Sequence, residues 1–490
     1  MAERLFMGID VGTGGARVIV CDERGKPVAE ASRPFAPRAG GPEKPAGWHE
    51  QSPASWWQAT SSCIREVISS PALEGSAKRI LSVSVTSTSG TVIPLDEGFE
   101  PLHDAVMYND NRSAAQAERA NEALREVCGK LAYRFDASFG LPKMLWFMES
   151  MPEVFERTKL FAHAGDYIIG KLCGGFGFTD YSNSLKSGYD VYELKWPAEI
   201  ADKLGLSMSK LPEVLAPGTI VGEVCPACSA ETGLSEMTGV ALGMTDGCAS
   251  QIASGAASLG DWNTTIGTTL VIKGVTERLL FDPKGRIYSH RHPDGHWMPG
   301  GASNVGGDCI KSNFRDDELE GLNASVRPDL PTGMLVYPLE KKGERFPIRD
   351  PLAEGFIVGS PSNRAELYQA YLEGVALVEK MSYDMLQSLG AAIGDTVFAA
   401  GGATKSEPWL KIRANMLDRR IAVPEIAGGF MGAAILAASL SHWGSLGQAA
   451  RNMVRISKTI SPDPDAVDAY KEKYLQFISE MHTRGYTREG

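Results

Sequence analysis

Short apolar runs alternate along this chain with longer stretches in which apolar residues recur at helical spacing. The runs are too short for helices and predict strands at residues 5–9, 18–21, 80–85 and 92–95. The amphipathic stretches predict helices at 55–68, 113–127 and 144–147, and a long helix at 365–389 whose leucine, valine and methionine stripe belongs to a core. This alternation predicts an α/β fold.

A tight turn joins the first two predicted strands and combines a carboxylate with glycines and a hydroxyl. The strand at 5–9 delivers Asp10, and Gly12, Thr13 and Gly14 follow before the chain turns back into the strand at 18–21. Glycines let backbone N–H groups approach a polyphosphate because no Cβ blocks them. The turn opens a hairpin instead of a helix, so neither the P-loop nor the dinucleotide-binding fingerprint applies.

Two later segments repeat this theme. Residues 261–272 again predict a strand, a Gly-Thr turn and a strand, and an apolar strand predicted at 397–400 ends on two glycines before a predicted helix at 409–417. The residues concerned are Gly267, Thr268, Thr269, Gly401, Gly402 and Ala403. We interpret the first three as phosphate contacts and the last three as a backbone surface for a base or ribose.

The length and net charge of the chain limit the classes of function that it can have. A chain of 490 residues with 43% hydrophobic content can bury two sizeable cores, and we predict domains at 1–255 and 256–490. The net charge of −11 opposes nucleic-acid and anionic-membrane binding. With no predicted signal or membrane-spanning segment, we expect a cytoplasmic protein with a small-molecule partner. The scattered cysteines predict thiols in a reducing compartment, and Cys225 and Cys228 predict a surface loop.

Several motifs resemble one family. They are the first turn, Gly-Trp-His-Glu-Gln at 47–51, Tyr-Asn-Asp-Asn-Arg at 108–112, Leu-Pro-Lys-Met-Leu-Trp at 141–146 and Thr-Asp-Tyr-Ser-Asn at 179–183. Together they resemble the FGGY carbohydrate kinases, whose pattern has tryptophan where this chain has Tyr108. The resemblance implies two ribonuclease H-like domains of the actin and hexokinase ATPase type, with a cleft between them.

The resemblance also implies ATP and Mg²⁺ as cofactors and assigns roles. Asp246 follows an apolar strand and precedes a helix, and corresponds to the family's general base; the alternative from its position alone is a helix cap. Asp10 would hold the magnesium or the reacting hydroxyl. Sugar contacts would come from Asp10, Thr88, Ser89, Asp110 and Asp246, although Asp110 and Arg112 equally suit a structural ion pair. Nucleotide contacts would come from Gly12, Thr13, Gly14, Arg17, Gly267, Thr268, Thr269, Gly401, Gly402 and Ala403.

The segments at 288–291, 300–304 and 343–348 look closest to D-ribulose kinases of plants and cyanobacteria. We therefore expect phosphorylation of D-ribulose at its terminal hydroxyl. The alternatives are a D-xylulose kinase or a kinase of another ketose or polyol, an actin-like or chaperone-like ATPase, and a catalytically silent sugar-binding regulator. The oligomeric state stays open, a homodimer included, as does the role of Lys143. The histidines at 290, 292 and 296 predict a hairpin with surface histidines.

Overall fold

The computed structural model describes residues 4–35, 45–75 and 77–487. The chain forms two compact units. The first contains residues 1–253, 290–296 and 426–455, and the second contains residues 254–289, 297–425 and 456–490. The first change of unit falls between Ala253 and Ser254. Two later segments, at 290–296 and 426–455, return to the first unit, whereas the predicted domains were each one continuous range. The roles predicted for the two ranges stay predictions.

A six-stranded sheet forms the centre of the first unit within the described residues. Its strands, in spatial order, are Ile220–Glu223, Gly239–Ala241, Ile80–Ser87, Leu5–Val11, Gly15–Asp22 and Pro27–Pro34. Leu5–Val11 is parallel to Ile80–Ser87 and antiparallel to Gly15–Asp22. Strand Leu5–Val11 is almost entirely buried, as expected of a strand covered on both faces. Pro27–Pro34 lies at the edge, where proline is tolerated.

Helices and short strand pairs surround this sheet. The helices are Pro53–Ile68, Ala114–Ala123, Arg125–Leu131, Gly140–Ser150, Pro152–Arg157, Ala164–Cys173, Tyr181–Leu185, Glu199–Asp202, Pro226–Thr232, Asp246–Ser254, Gly429–Ala438 and Leu446–Met453, with a π-helical turn at Ser439–Trp443 and 3₁₀ turns at Pro71–Leu73, Ala77–Arg79 and Met208–Lys210. The short pairs are Glu50–Gln51 with Ala105–Val106, Ile93–Leu95 with Leu160–Ala162, and Phe178–Asp180 with Glu213–Leu215. The helix predicted at 113–127 is thus interrupted at Leu124.

The helix Gly429–Ala438 packs directly on the central strand Leu5–Val11. A Cβ on Gly8 would lie only 1.9 Å from the carbonyl oxygen of Phe430, so glycine is needed for this approach. A Cβ on Gly432 would lie 2.0 Å from the carbonyl oxygen of Ala249. The same helix therefore also packs closely against Asp246–Ser254.

The second unit repeats the sheet pattern of the first. In spatial order its strands are Trp297–Ser303, Leu270–Gly274, Trp262–Ile266, Thr396–Ala400, Arg420–Pro424 and Ile456–Ile460. Trp262–Ile266 is antiparallel to Leu270–Gly274 and parallel to Thr396–Ala400, the same senses that Leu5–Val11 shows toward its neighbours. The strand Tyr288–Arg291, whose last two residues belong to the first unit, begins the sheet order.

The remaining elements of the second unit cover its sheet. They are the helices Asp308–Asn313, Leu319–Ser325, Arg364–Ser388, Glu407–Leu417 and Pro464–Thr483, the 3₁₀ turns Asp316–Glu318 and Gly402–Lys405, and the strand pair Leu335–Tyr337 with Phe356–Val358. Each unit has its own cluster of buried apolar side chains. The α/β sheets and the long helix predicted at 365–389 are confirmed. Among the described residues, no helix is long and apolar enough to cross a membrane.

Candidate active site

Asp10 and Asp246 lie at the same edge of the first unit's sheet. Asp10 pairs in register with Thr86 on the parallel neighbouring strand, and Ser87 on that strand forms a parallel bridge with Thr245. The carboxyl ends of parallel strands form such an edge, where α/β proteins commonly bind ligands. The fold therefore brings together two carboxylates that are far apart in the sequence.

The carboxylate of Asp10 is held in an unfavourable environment for charge. Burial and, second, the negative charge of Asp246 raise its pKa, the charge of Arg17 opposes them, and the net result is a pKa of about 6. Its Oδ1 atom is buried without a hydrogen-bond partner. A Cβ on Gly429 would lie 3.2 Å from Oδ2, so the first residue of helix Gly429–Ala438 borders the carboxylate. A buried carboxylate oxygen without a hydrogen-bond partner is suited to ligate a cation or to accept a hydrogen bond from a hydroxyl.

Asp246 is the first residue of the helix Asp246–Ser254. Its Oδ1 accepts a hydrogen bond of 2.6 Å from the Gly247 amide. The preceding residue is fixed as well, because the Thr245 amide donates to the Ser182 hydroxyl at 2.8 Å, and that hydroxyl donates to Asp180 at 2.6 Å. Buried Asp180 also caps the helix Tyr181–Leu185. The carboxylate thus projects from a rigidly supported position.

The carboxylate of Asp10 fits a magnesium ion that keeps most of its water ligands. Magnesium sites in phosphoryl-transfer proteins commonly use one or two carboxylates together with substrate phosphates. The unpartnered Oδ1 of Asp10 meets that requirement. No cluster of three or more histidine, cysteine, aspartate or glutamate side chains suited to a metal occurs in the part of the chain that the structure describes. Asp10, with Asp246 near it, would hold such an ion.

The first glycine turn follows Asp10 directly. The Gly12 amide donates to the Gly15 carbonyl oxygen at 3.1 Å, which closes the turn. Thr13 and Gly14 are exposed, and a Cβ on Gly14 would meet nothing within 4 Å. Arg17 is exposed on the next strand, in register with Asp10. The tip of the turn, which directly follows the strand of Asp10, is therefore accessible to a ligand.

The turn predicted in the second unit has a similar construction. The Gly267 amide donates to the Thr269 carbonyl oxygen at 3.0 Å, and the Gly307 amide donates to the Gly267 carbonyl oxygen at 2.7 Å. Gly267 and Thr268 are exposed. Gly401 has a φ of 87°, which favours glycine. A Cβ added to Gly401 would lie 2.3 Å from the Ile266 carbonyl oxygen, so the Gly401–Ala403 segment borders the strand that leads into this turn.

The hydroxyl segment at 86–89 is mostly committed to the protein. Thr86 donates to the Met244 carbonyl oxygen at 2.7 Å, and Ser87 accepts from the Gly165 amide at 2.9 Å. The buried Thr88 hydroxyl lies 3.1 Å from that of Thr91. Ser89 is half-buried. The roles of Thr88 and Ser89 as sugar contacts stay predictions.

Asp110 is part of a buried ion pair. Its Oδ1 accepts from the Arg112 amide and Nε, and its Oδ2 accepts from Arg112 Nη2 and the His49 amide at 2.7 and 2.6 Å. Burial raises its pKa, but the hydrogen bonds from Arg112 and His49 outweigh burial and leave the pKa lowered. Of the two predicted roles, this geometry favours the structural ion pair over a direct sugar contact.

Lys143 is buried, and its hydrogen bonds go to backbone carbonyl oxygens. Its Nζ donates to the carbonyl oxygens of Ala137 and Phe139 at 2.6 and 3.1 Å. Burial and, second, the charge of Lys186 lower its pKa to about 7. These contacts fix the loop that precedes the helix Gly140–Ser150.

Two predictions outside the site were wrong. His290 and His292 are buried, with the His292 Nδ1 accepting from the Asp294 amide, so they are not surface histidines. Asp294 itself accepts from the amides of Leu446 and Gly447, so the hairpin contacts the start of the helix Leu446–Met453. Cys225 caps the N-terminus of the helix Pro226–Thr232 and Cys228 lies in its first turn, so the pair does not form a loop. All described cysteines are free thiols.

No role was predicted for Gln51 or Tyr108, although they belong to the motifs at 47–51 and 108–112. Both side chains contact Thr13 in the first turn. A motif shows that residues recur together, but only the fold shows which of them touch.

Comparison with known proteins agrees with this architecture. The family model "FGGY family of carbohydrate kinases, N-terminal domain" matches residues 5–253, and the C-terminal model of the same family matches residues 258–441. A xylulose kinase of Bacillus subtilis is 30% identical over 485 residues, which cover 96% of this chain and 95% of the relative. A gluconokinase of the same species is 25% identical, covering 97% and 95%. The crystal structure of a xylulose kinase from Rhodospirillum rubrum superposes with a TM-score of 0.84 at 25% identity, covering 98% and 99%.

Proposed function

The chain belongs to the FGGY family of carbohydrate kinases, and we propose that it transfers the γ-phosphoryl group of ATP to the terminal hydroxyl of D-xylulose. The kinase activity is that of the family. The choice of sugar follows the similarity to xylulose kinases. D-xylulose therefore replaces D-ribulose as the leading acceptor.

The observation that carries the proposal is the placement of Asp246 beside Asp10 at the carboxyl edge of the sheet. Phosphoryl transfer needs mainly positioning and charge stabilisation. Asp246 accepts the proton of the sugar's terminal hydroxyl while the oxygen of that hydroxyl forms a bond to the γ-phosphorus of ATP. The bond from that phosphorus to the β-bridging oxygen breaks, and ADP leaves.

Asp10 and the first turn serve the phosphate side of the reaction. Bound Mg²⁺ would neutralise phosphate charge, and the unsatisfied Oδ1 of Asp10 suits it. Thr13 and Gly14 are exposed, and no Cβ at Gly14 obstructs a phosphate that would accept from their backbone amides. Arg17, Gly267, Thr268, Thr269, Gly401, Gly402 and Ala403 remain proposed nucleotide contacts. Thr88 and Ser89 remain proposed sugar contacts.

The test measures ADP release with purified protein and MgATP across D-xylulose, D-ribulose, gluconate, glycerol and pentitols. We expect the highest kcat/KM with D-xylulose. Epimeric ketopentoses differ in the orientation of one hydroxyl, and discrimination depends on its hydrogen bonds. A higher value with D-ribulose would restore the ribulose kinase alternative. ADP release that no sugar stimulates would favour an ATPase and defeat the proposal.

A further inference from the structure

Two side chains from separate segments hold the first glycine turn. Gln51 Nε2 donates to the Thr13 carbonyl oxygen at 2.8 Å. The Tyr108 hydroxyl lies 3.3 Å from the Thr13 hydroxyl. Thr13 is exposed and receives both contacts at the tip of the turn. One residue of the turn is therefore fixed both through its backbone and through its side chain.

Gln51 is itself fixed from behind. Its Oε1 accepts from the indole nitrogen of Trp56 at 2.8 Å, and Trp56 is buried in the helix Pro53–Ile68. Gln51 also pairs in register with Ala105 in a short two-stranded sheet. The amide group is thereby oriented, since its oxygen is engaged and its nitrogen points to Thr13.

Tyr108 is placed by the buried ion pair two residues later. The Arg112 guanidinium lies 3.8 Å from the centre of the Trp48 ring and 4.8 Å from that of Trp146. It also pairs with Glu50 at 2.7 Å, while Asp110 accepts from the His49 amide. This stack locks the segment of Gln51 to that of Tyr108, so both approach Thr13 from one rigid support.

We propose that Tyr108 and Gln51 are positioning residues that orient Thr13 toward the nucleotide phosphates, an inference that rests on the proposed kinase function. The Tyr108 hydroxyl donates to Thr13 Oγ1, and the Thr13 hydroxyl hydrogen is then free to donate to a phosphate oxygen. A chain of hydrogen bonds strengthens each member. Gln51 holds the Thr13 carbonyl away from the phosphates, so that its charge does not repel them.

This link depends on the phenol of Tyr108. The phenol hydroxyl can both donate and accept a hydrogen bond, and phenylalanine at this position would offer Thr13 neither.

The experiment removes the hydroxyl alone with Tyr108→Phe. ADP affinity is measured by calorimetry, and KM is measured separately for MgATP and for D-xylulose. We expect the ADP dissociation constant and the KM for MgATP to rise by ~3- to 10-fold, the effect of one hydrogen bond, with the KM for sugar nearly unchanged. Gln51→Met should act in the same direction. The matched control is Trp57→Phe. Trp57 follows Trp56 on the helix Pro53–Ile68 and donates its indole N–H to Glu231, so its loss should leave nucleotide affinity unchanged.

A double-mutant cycle tests whether the effect passes through Thr13. Tyr108→Phe should weaken ADP binding in a Thr13→Ser background, which keeps a hydroxyl, and should have no further effect in Thr13→Val. An equal loss in both backgrounds, or wild-type affinity in Tyr108→Phe, would overturn the inference. Wild-type protein that binds no ADP and phosphorylates no sugar would instead defeat the proposed function, so the two failures are distinguishable.

Discussion

The charge of Asp246 helps to raise the pKa of Asp10, with burial as the larger cause, to about 6. The two side chains are therefore electrostatically coupled within one unit. Such perturbed carboxylates concentrate at functional sites because binding and catalysis need groups that fold stability alone would not place together. This relationship gives the site a measurable dependence on pH.

Asp10→Asn tests that dependence. The folded pKa of Asp10 lies above its ordinary value of 3.8, so ionisation of Asp10 destabilises the fold. The penalty is absent below pH 3.8 and complete above about pH 6. We expect Asp10→Asn to melt at a higher temperature than wild type at pH 7.5, and the difference to shrink toward pH 4.5. Melting curves by calorimetry check this. A difference that does not change with pH would contradict it.

The same substitution should affect activity in the opposite direction. If the ionised carboxylate binds the cation of MgATP, kcat/KM for MgATP should rise with pH through about 6 in wild type. Asp10→Asn should lose this limb and most of the activity. A variant that keeps the wild-type pH profile would remove Asp10 from the phosphate site.

Asp246→Asn tests the assignment of the base. We expect kcat to fall by ~10²- to 10⁴-fold because the amide cannot accept the sugar proton. ADP affinity should remain near that of wild type, since the proposed nucleotide contacts are elsewhere. Asp96→Asn is the matched control, because Asp96 accepts only local amides in an exposed turn. Unchanged turnover in Asp246→Asn would reduce Asp246 to a helix cap.

The strands, the long helix and the glycine turns were predictable because each is encoded locally. An apolar run, a helical period or a pair of glycines acts over a few residues. The proximity of Asp10 to Asp246 depends instead on the parallel pairing of strands that are distant in sequence. The contact of Asp294 with the start of the helix Leu446–Met453 likewise joins segments that are distant in sequence.

The role of Asp110 also could not be predicted from its local sequence. Its motif allowed a sugar contact or an ion pair, and only the positions of Arg112 and His49 distinguish them. The helix break at Leu124 has no marker in the sequence such as proline or glycine.

Gly12→Val tests the first turn as a phosphate site. A Cβ on Gly12 would meet nothing closer than the Gly15 carbonyl oxygen at 3.7 Å, an ordinary contact. The fold should therefore tolerate the substitution, whereas the added methyl groups should obstruct phosphates. We expect ADP affinity to fall by at least ~10-fold, a cost of about 1.4 kcal/mol, at a nearly unchanged melting temperature. Gly321→Ala, which also adds a side chain in open space, is the control. Undiminished affinity in Gly12→Val would mean that phosphates bind elsewhere.

Lys143→Met tests the buried lysine through the pH dependence of stability. Burial lowers the folded pKa of Lys143 from 10.5 to about 7, so between these values the unfolded chain holds a proton that the folded chain lacks. Wild-type stability gained from this group therefore rises with pH over that interval, by at most about 1.4 kcal/mol per pH unit. In Lys143→Met the side chain does not titrate, so it adds no such pH dependence to the free energy of unfolding. The variant also loses the hydrogen bonds to the carbonyl oxygens of Ala137 and Phe139. We expect the stability of Lys143→Met relative to wild type to be higher at pH 7 than at pH 9.5, as measured by urea unfolding. The exposed Lys341→Met serves as control, and parallel pH curves for Lys143→Met and wild type would show that Lys143 is charged in the folded protein.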